Sequence, residues 1–197
     1  MKLRLYMQTN STQALGPFER FAIWVQGCER RCNGCISPDS RPPDGGWLID
    51  CIDLAKQITM ANIEGITISG GEPFLQATAL ANVIEMVKKE KDIGVIIYTG
   101  FLYSELIVAQ RQDWANLLSM TDALIDAPYI QNQNDGLSFR GSSNQTLHLL
   151  TKRYEMYKTL YGMKGRKIEV FEKQGRFGFY GIPPANISEI IKLKGCE

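Results

Sequence analysis

Short apolar runs that alternate with longer amphipathic stretches are the feature that most restricts how this chain can fold. The runs are rich in β-branched residues and are closed by glycine or proline; they are FAIWVQG (21–27), GITISG (65–70), GVIIYTG (94–100) and ALIDAP (123–128). Such runs are typical of strands that are buried on both faces, as in a parallel sheet. The stretches between them carry apolar residues at helical spacing and predict helices over residues 48–61, 76–90 and 103–119.

The order of these elements predicts the fold class. Strand followed by helix with a repeat of roughly 30 residues is the signature of βαβ units, whose right-handed crossovers build a wound α/β sheet. The chain has 197 residues, whereas a complete (β/α)8 barrel needs about 250. We therefore predict an α/β fold with an open, mostly parallel sheet in the form of a partial (β/α)6 TIM-like barrel. Residues 168–173 and 177–184 predict a C-terminal β-hairpin, followed by a short helix near 186–194.

Length and composition limit the number of domains in the chain. The 44% hydrophobic content suits one globular domain, so we expect residues 1–197 to form a single domain. Residues 16–150 carry the motifs, and residues 151–197 supply the C-terminal strands and helix.

Charge and hydropathy exclude several partners. The formal net charge is +1, which gives no basic surface for nucleic acid or an anionic membrane. The local cations Lys164, Arg166 and Lys167 are expected to form a solvated loop. No apolar run is long enough to cross a membrane, and the N-terminal sequence MKLRLYMQTNST has no secretory signal, so we expect a cytoplasmic protein.

A cluster of cysteines follows the first predicted strand. Cys28, Cys32 and Cys35 have the spacing C-x3-C-x2-C in the sequence GCERRCNGC, which favours metal ligation over a disulfide framework. A zinc site would need a fourth ligand, from Cys51 or Cys196. A [4Fe–4S] cluster normally takes four thiolates, so three would leave one iron open to a substrate or cofactor. Reduced thiols without a metal are a further alternative.

Other motifs follow the next three predicted strands. They are GGEP (70–73), TGF (99–101) and DAPY (126–129). In parallel α/β folds the working residues lie at the C-terminal ends of strands, so these segments are expected to meet the cysteines. Gly70 and Gly71 permit close backbone approach, Glu72 supplies a carboxylate, and Pro73 suits the first turn of a helix.

The cysteine spacing and GGEP together resemble the radical S-adenosylmethionine (SAM) superfamily. Within it, the sequence most resembles the small activating enzymes of glycyl-radical enzymes, especially the type that activates anaerobic ribonucleotide reductase. The resemblance runs from residue 16 to 150 and rests on segments in the same order: GPFERFAIWVQGC (16–28), SGGEP (69–73), YTGF (98–101), LIDAPY (124–129) and FRGSSNQ (139–145).

Two segments depart from that family pattern. Gly34 precedes the third cysteine, where the superfamily often has an aromatic residue beside the adenine. Residues 36–46 (ISPDSRPPDGG) replace a segment that in the activating enzymes usually carries an aromatic residue or histidine. We expect this loop to lie where a partner or substrate approaches.

The resemblance implies a cofactor set and a reaction. Cys28, Cys32 and Cys35 would bind three irons of a [4Fe–4S] cluster, and the amino and carboxylate groups of SAM would chelate the fourth. Reduction would then cleave SAM to methionine and a 5′-deoxyadenosyl radical, which abstracts hydrogen from the substrate. The implied SAM-binding residues are Gly34, Gly70, Gly71, Glu72, Thr99, Asp126, Ser142 and Asn144, with Arg140 on the SAM or partner side of the cleft.

The resemblance also implies partners, and alternatives remain open beside it. A glycyl-radical enzyme or a peptide would be the substrate, and flavodoxin or ferredoxin the electron donor. The alternatives are a minimal radical SAM enzyme that modifies a peptide or small molecule, and a non-catalytic module that binds zinc or iron. For several further residues a structural role is expected: a salt bridge for Arg20, the core for Cys51, and ordinary packing for His148.

Overall fold

The computed structural model describes residues 1–173 and 175–184. The strands are β1 (Lys2–Thr12), β2 (Arg20–Val25), β3 (Trp47–Asp50), β4 (Gly65–Gly70), β5 (Gly94–Tyr98), β6 (Ala123–Asp126), β7 (Thr146–Leu149), β8 (Ile168–Lys173) and β9 (Arg176–Gly181). The helices are α1 (Cys51–Met60), α2 (Ala77–Glu90), α3 (Tyr103–Val108), α4 (Gln112–Ser119) and α5 (Lys158–Tyr161). The helix predicted near residues 186–194 lies outside the described residues.

One mixed sheet forms the centre of the fold, with the strand order β3-β1-β2-β4-β5-β6-β7. The four predicted strands β2, β4, β5 and β6 pair in parallel, as expected. Strands β1, β3 and β7 pair antiparallel at the two sides. The α/β class and the open sheet are therefore confirmed, but the described residues hold four parallel strands and do not confirm the (β/α)6 partial barrel.

The antiparallel strands are the main difference from the predicted elements. The helix predicted over residues 48–61 begins only at Cys51, because residues 47–50 form β3 against β1. The Asp50 side chain accepts a hydrogen bond from Ile52 N (3.0 Å) and so caps α1. In β1, Leu3 and Leu5 are buried in alternation with more exposed residues, the pattern of a strand buried on one face.

The helix predicted over residues 103–119 is two helices. Gln110 adopts a φ of +50°, a left-handed conformation that separates α3 from α4. The prediction for residues 76–90 is confirmed as α2, which follows a single 3₁₀ turn over Pro73–Gln76.

Both faces of the parallel strands are buried, which accounts for their continuous apolar sequence. On one face Phe21 and Ile68 pack with residues of α1, α2 and α4. On the other, here called the second face, Trp24 packs with Tyr98 and Tyr180, and Ile96 packs with Tyr154. Tyr180 belongs to the predicted C-terminal hairpin, which is confirmed as β8 paired antiparallel with β9.

A buried arginine closes the N-terminal edge of the parallel strands. Arg20 is fully buried at the start of β2, and its guanidinium donates to Glu64 (2.7 Å), Thr67 Oγ1 (2.6 Å) and Tyr154 Oη (2.8 Å). It also donates to the carbonyl oxygen of Ile66 (2.7 Å). The structural salt bridge expected for Arg20 is thus present, at the end of the sheet opposite to the motif-bearing loops.

This network predicts a large loss of stability for Arg20→Ala. Removing the guanidinium leaves several buried acceptors without donors, so the free energy of unfolding should fall by about 3 kcal/mol. The control is Arg153→Ala, since Arg153 bridges Glu64 and Asp92 at the surface. In this variant the free energy of unfolding should fall by about 1 kcal/mol or less. Urea denaturation followed by circular dichroism measures both, and equal losses would contradict the assignment.

Candidate functional site

The C-terminal ends of β2, β4, β5 and β6 meet at one edge of the sheet, as the sequence predicted. A cleft lies there, lined by residues that follow these strands and by the second face. Its lining is Leu15, Trp24, Cys35, Ile36, Ser37, Ser69, Gly70, Gly71, Tyr98, Thr99, Gly100, Ala127, Tyr129, Gly141, Gln145, Gly181 and Ile182. Thus the cysteine segment, GGEP and TGF converge on one cleft.

The three cysteines lie in an irregular segment, residues 28–35, here called the Cys loop. All three thiols are partly buried and unpaired by disulfides, and Cys35 N donates to Cys32 O (3.3 Å). Gly34 has a φ of +73°, and a Cβ there would lie 2.4 Å from Gln131 Oε1. Its departure from the aromatic family residue therefore has a backbone reason, because a positive φ favours glycine over a residue with a side chain.

Burial raises the pKa of the Cys28 thiol to about 11 and also raises the pKa of Cys35. Neutral thiols are poor nucleophiles, so burial disfavours a role of these cysteines in thiol catalysis. Cys51 is buried elsewhere, with its Sγ 3.8 Å from Ala79 O. Among residues 1–173 and 175–184, no three His, Cys, Asp or Glu side chains are gathered to hold a single metal ion.

The loop of residues 36–46, here called the clamp loop, holds the start of the Cys loop. Ser40 O accepts from Gly27 N (2.8 Å), and Arg41 O accepts from Cys28 N (3.0 Å). The Gln26 side chain donates to the carbonyl oxygens of Asp39 (3.0 Å) and Pro42 (2.7 Å). The clamp loop therefore positions the first cysteine as well as bordering the cleft through Ile36 and Ser37.

The two glycines of GGEP bring the end of β4 into main-chain contact with the residues directly before the Cys loop. Gly71 N donates to Val25 O (2.7 Å), and Glu72 N donates to Gly27 O (2.8 Å). A Cβ at Gly71 would lie 2.2 Å from Gly27 O, and Gly70 has a φ of +107°. The close backbone approach predicted for these glycines is present, and it fixes GGEP against the end of β2 and against Gly27, which directly precedes the Cys loop.

Glu72 is buried beneath this contact. Its carboxylate accepts hydrogen bonds from Phe74 N (3.1 Å), Thr99 Oγ1 (2.7 Å) and Gly100 N (2.8 Å). Burial raises the Glu72 pKa to about 6, although these donors favour the ionised form. Glu72 and Thr99 thus join the end of β4 to the end of β5, and Thr99 also borders the cleft.

Asp126 lies at the end of β6 but faces away from the cleft lining. Its carboxylate accepts from Tyr103 N (2.8 Å) at the start of α3 and from Thr146 N (3.2 Å) at the start of β7. His148 Nε2 lies 3.0 Å from Asp126 Oδ2, and its ring packs against Tyr103 with 4.7 Å between centroids. His148 therefore has the packing role expected for it, in contact with Asp126.

The polar segment 140–145 borders the cleft through residues that the sequence did not single out. Gly141 and Gln145 line the cleft, and Gln145 Nε2 donates to Ala127 O (3.0 Å). Ser142 Oγ accepts from Ile130 N (3.1 Å), and Asn144 Nδ2 donates to Pro128 O (2.8 Å). Ser142 and Asn144, which the sequence predicted as SAM-binding residues, therefore support the turn after β6 from behind the cleft lining.

Two arginines near this segment bind protein oxygens. Arg140 pairs with Asp135 through its Nε (3.0 Å), so its guanidinium is already occupied. The expectation that Arg166 belongs to a solvated loop is wrong: its side chain is 5% exposed. It donates to Leu137 O (3.0 Å) and Pro183 O (2.7 Å) and so joins the 134–141 loop to the end of the hairpin. In the sequence nothing distinguishes Arg166 from the nearby Lys164 and Lys167, so its burial could not be predicted.

Comparison with known proteins agrees with this geometry. Residues 14–148 match the family model described as the 4Fe-4S single cluster domain. The anaerobic ribonucleoside-triphosphate reductase-activating protein of Vibrio cholerae is 32% identical over 69% of this chain and 91% of its own length. The protein of that name from Escherichia coli is 31% identical over 68% of this chain and 91% of its own length. The pyruvate formate-lyase-activating enzyme of Streptococcus mutans is 30% identical over 74% of this chain and 59% of its own length.

The class defined by these matches and by the Cys loop is that of enzymes built on a single [4Fe–4S] cluster. The chain belongs to the radical SAM family of activating enzymes for glycyl-radical enzymes, and its cofactors are a [4Fe–4S] cluster and SAM. Within the part of the chain that the structure describes, no helix is long and apolar enough to cross a membrane.

The contact between Thr99 and Glu72 predicts a pH-dependent loss of stability for Thr99→Val. The variant removes a donor to the ionised carboxylate, so the Glu72 pKa should rise further above about 6. In the metal-free protein the free energy of unfolding should fall by about 1–2 kcal/mol at pH 8, where the wild-type carboxylate is ionised, and by less at pH 5, where the carboxyl group is protonated.

The matched control is Thr121→Val, because Thr121 is buried and its hydroxyl donates to the neutral Leu117 O (2.8 Å). Its loss of stability should be the same at both pH values. Urea denaturation under anoxic, reducing conditions measures all four quantities. A pH-independent loss for Thr99→Val would show that Glu72 ionisation does not depend on this contact.

Proposed function

We propose that this enzyme activates a glycyl-radical enzyme by removing a hydrogen atom from a glycyl residue of that partner. The observation that carries the proposal is the main-chain junction between GGEP and the residues directly before the Cys loop, through Gly71 N to Val25 O and Glu72 N to Gly27 O. This junction supports a cofactor site in which the cysteines and the GGEP turn act on the same bound molecule. The chemistry that a reduced cluster with SAM supplies is homolytic removal of a hydrogen atom.

Cys28, Cys32 and Cys35 are the proposed ligands of three irons, which leaves the fourth for SAM. The clamp loop supports this role of Cys28, since the bond from its amide to Arg41 O fixes the backbone of the first ligand. Arg30 supports it from the other side, because its guanidinium pairs with Glu105 (2.8 Å) and lies over the Phe101 ring (4.4 Å). Both contacts hold the Cys loop against the sheet edge.

The proposed SAM contacts divide into two groups. Gly70, Gly71 and Thr99 border the cleft, and Gly34 directly precedes Cys35 of its lining; these four residues would meet SAM directly. Glu72 lies behind them and would supply negative charge toward the ammonium group above its pKa of about 6. The remaining three residues, Asp126, Ser142 and Asn144, would act by holding α3, β7 and the turn after β6 in place.

The proposed partner is an anaerobic ribonucleoside-triphosphate reductase. Support comes from the extent of the matches, since the chain covers 91% of the Vibrio cholerae reductase-activating protein but 59% of the Streptococcus mutans lyase-activating enzyme. The proposal includes flavodoxin or ferredoxin as the electron donor, a cytoplasmic location, and a single domain over residues 1–197.

The assignment of the cluster ligands predicts different results for two cysteine variants. Cys32→Ala should reduce bound iron and sulfide to background after anoxic reconstitution and abolish formation of 5′-deoxyadenosine. Cys51→Ala should keep the cluster, since Cys51, the first residue of α1, is buried against Ala79 of α2. Iron and sulfide analysis and chromatography of the nucleoside measure these results. Retention of the cluster by Cys32→Ala would overturn the ligand set.

The proposed reaction predicts a glycyl radical on the partner. Reconstituted, reduced enzyme with SAM and an anaerobic ribonucleoside-triphosphate reductase should give a glycyl-radical doublet in electron paramagnetic resonance. Pyruvate formate-lyase serves as the comparison partner and should give a weaker signal. Formation of 5′-deoxyadenosine without a doublet on either partner would instead favour a peptide or small-molecule substrate. A loaded, reduced protein that forms no 5′-deoxyadenosine would favour a non-catalytic module.

A further inference from the structure

A second groove opens beside the cleft, between the Cys loop and the turn after β6. We call it the amide groove; it is lined by Asn33, Tyr129, Ile130, Gln131 and Asn132. Tyr129 also lines the cleft, so the groove and the cleft adjoin at this residue. The opposite wall is Asn33, which belongs to the Cys loop. A ligand in the amide groove would therefore lie against the loop that carries the cysteines and would reach the cleft at Tyr129.

The three side-chain amides in this groove are available to a ligand. Asn33, Gln131 and Asn132 are exposed, and their side chains make no hydrogen bond within residues 1–173 and 175–184. The nearby amide of Asn134, by contrast, already donates to Tyr129 Oη (3.2 Å). Because a side-chain amide carries both donors and an acceptor, the groove offers three such groups side by side.

The backbone that carries two of these amides is fixed from behind. A single 3₁₀ turn covers Gln131–Gln133, and Gln133 N donates to Ile130 O (3.0 Å). Ile130 N donates to Ser142 Oγ (3.1 Å), and Ser143 N donates to Gln133 O (2.8 Å). These bonds tie the turn to the polar segment that borders the cleft. The two amides are thus presented from an ordered backbone, which lowers the entropic cost of binding.

The two walls of the groove meet at Gly34. The Gln131 side chain occupies the place that a side chain at residue 34 would take. Residue 34 directly precedes Cys35, which lines the cleft. The Gln131 amide is therefore held beside the third cysteine, at the end of the groove nearest to the cleft.

The lining of the groove selects an uncharged ligand that has both donors and acceptors. Among the described residues that line it there is no Asp, Glu, Lys, Arg or His, so a phosphate or a carboxylate would find no cationic partner there. A main-chain peptide group carries one donor and one acceptor, as a side-chain amide does. An extended polypeptide presents such groups in a row, which matches the row of amides.

The chemistry of a glycyl substrate requires contacts of this kind. A glycyl residue has no side chain, so the residue itself offers only its peptide groups for orientation. Removal of a hydrogen atom from its Cα depends on close and correct positioning of that atom. Amides placed beside the cysteines can bind these peptide groups next to the reacting atom.

From these observations we infer that the amide groove binds the main chain of the polypeptide substrate next to its reacting glycyl residue. Gln131 and Asn132 are positioning residues, whose amides hydrogen-bond the peptide groups of that segment. The inference rests on the proposed function and adds to it the surface that orients the polypeptide.

The test is the double variant Gln131→Ala with Asn132→Ala. With an anaerobic ribonucleoside-triphosphate reductase as the probe, KM for that protein should rise about tenfold, as expected for two lost hydrogen bonds of ordinary strength. The ratio of 5′-deoxyadenosine formed to glycyl radical formed should also rise, because a poorly oriented substrate is missed. The dissociation constant of SAM, measured by equilibrium dialysis without the reductase, and the iron content should stay as in wild type.

Gln133→Ala is the matched control. Gln133 is an exposed residue of the same type in the same 3₁₀ turn, but it does not line the amide groove. This variant should keep the KM and the product ratio of the wild type. An equal rise of KM in Gln133→Ala would overturn the inference, since the effect would then belong to the turn and not to the groove.

A synthetic peptide tests directly whether the main chain is what the groove binds. A peptide that spans the glycyl segment of the reductase should inhibit radical formation on the reductase by wild-type enzyme. N-methylation of its peptide bonds should weaken this inhibition about tenfold. The double variant should bind both peptides with similar, weak affinity, because the bonds that methylation removes are already absent. An equal effect of methylation on both enzymes would contradict the inference.

The outcomes distinguish this inference from the proposed function. If wild-type enzyme gives no glycyl radical, the proposed function fails. If wild-type enzyme gives the radical and the double variant has an unchanged KM and product ratio, the inference alone is overturned. Weaker SAM binding by the double variant without the reductase would also overturn it, since the amides would then meet the cofactor.

Discussion

The main-chain junction between the GGEP turn after β4 and the residues directly before the Cys loop is the constraint on which the site depends. Amides of Gly71 and Glu72 donate to carbonyl oxygens of Val25 and Gly27, at a separation that no side chain at position 71 would permit. The clamp loop repeats the arrangement on the other side through the amide of Cys28. Because these bonds use backbone atoms, they fix the Cys loop while its thiols stay free for metal binding.

Buried carboxylates connect the ends of the neighbouring strands and helices. Glu72 accepts donors from the end of β5, and Asp126 accepts amides at the starts of α3 and β7. Both carboxylates lie behind the described lining of the cleft, which itself is uncharged. The charges thus organise strand ends, and the cleft presents hydroxyl, aromatic and glycine surfaces to its ligands.

The open sheet is completed by contacts on its second face. Tyr154 bonds to the buried Arg20, and Tyr180 of the hairpin stacks on Trp24. Arg166 joins the end of the hairpin to the loop after β6. These contacts cover the apolar face that a closed barrel would bury within itself, so four parallel strands suffice to build a defined cleft.

The sequence by itself determined the four strands that pair in parallel, the C-x3-C-x2-C spacing and the GGEP turn, because each depends on neighbours close in the chain. Only the tertiary structure decided that Asp126 faces α3, that Arg166 is buried, and that Tyr98 and Ser69 lie side by side beneath the cleft. The physical reason is that such placements follow from strand register and from hydrogen bonds between distant segments. Arg166, for example, binds oxygens of residues 25 or more positions earlier in the chain, which local spacing does not encode.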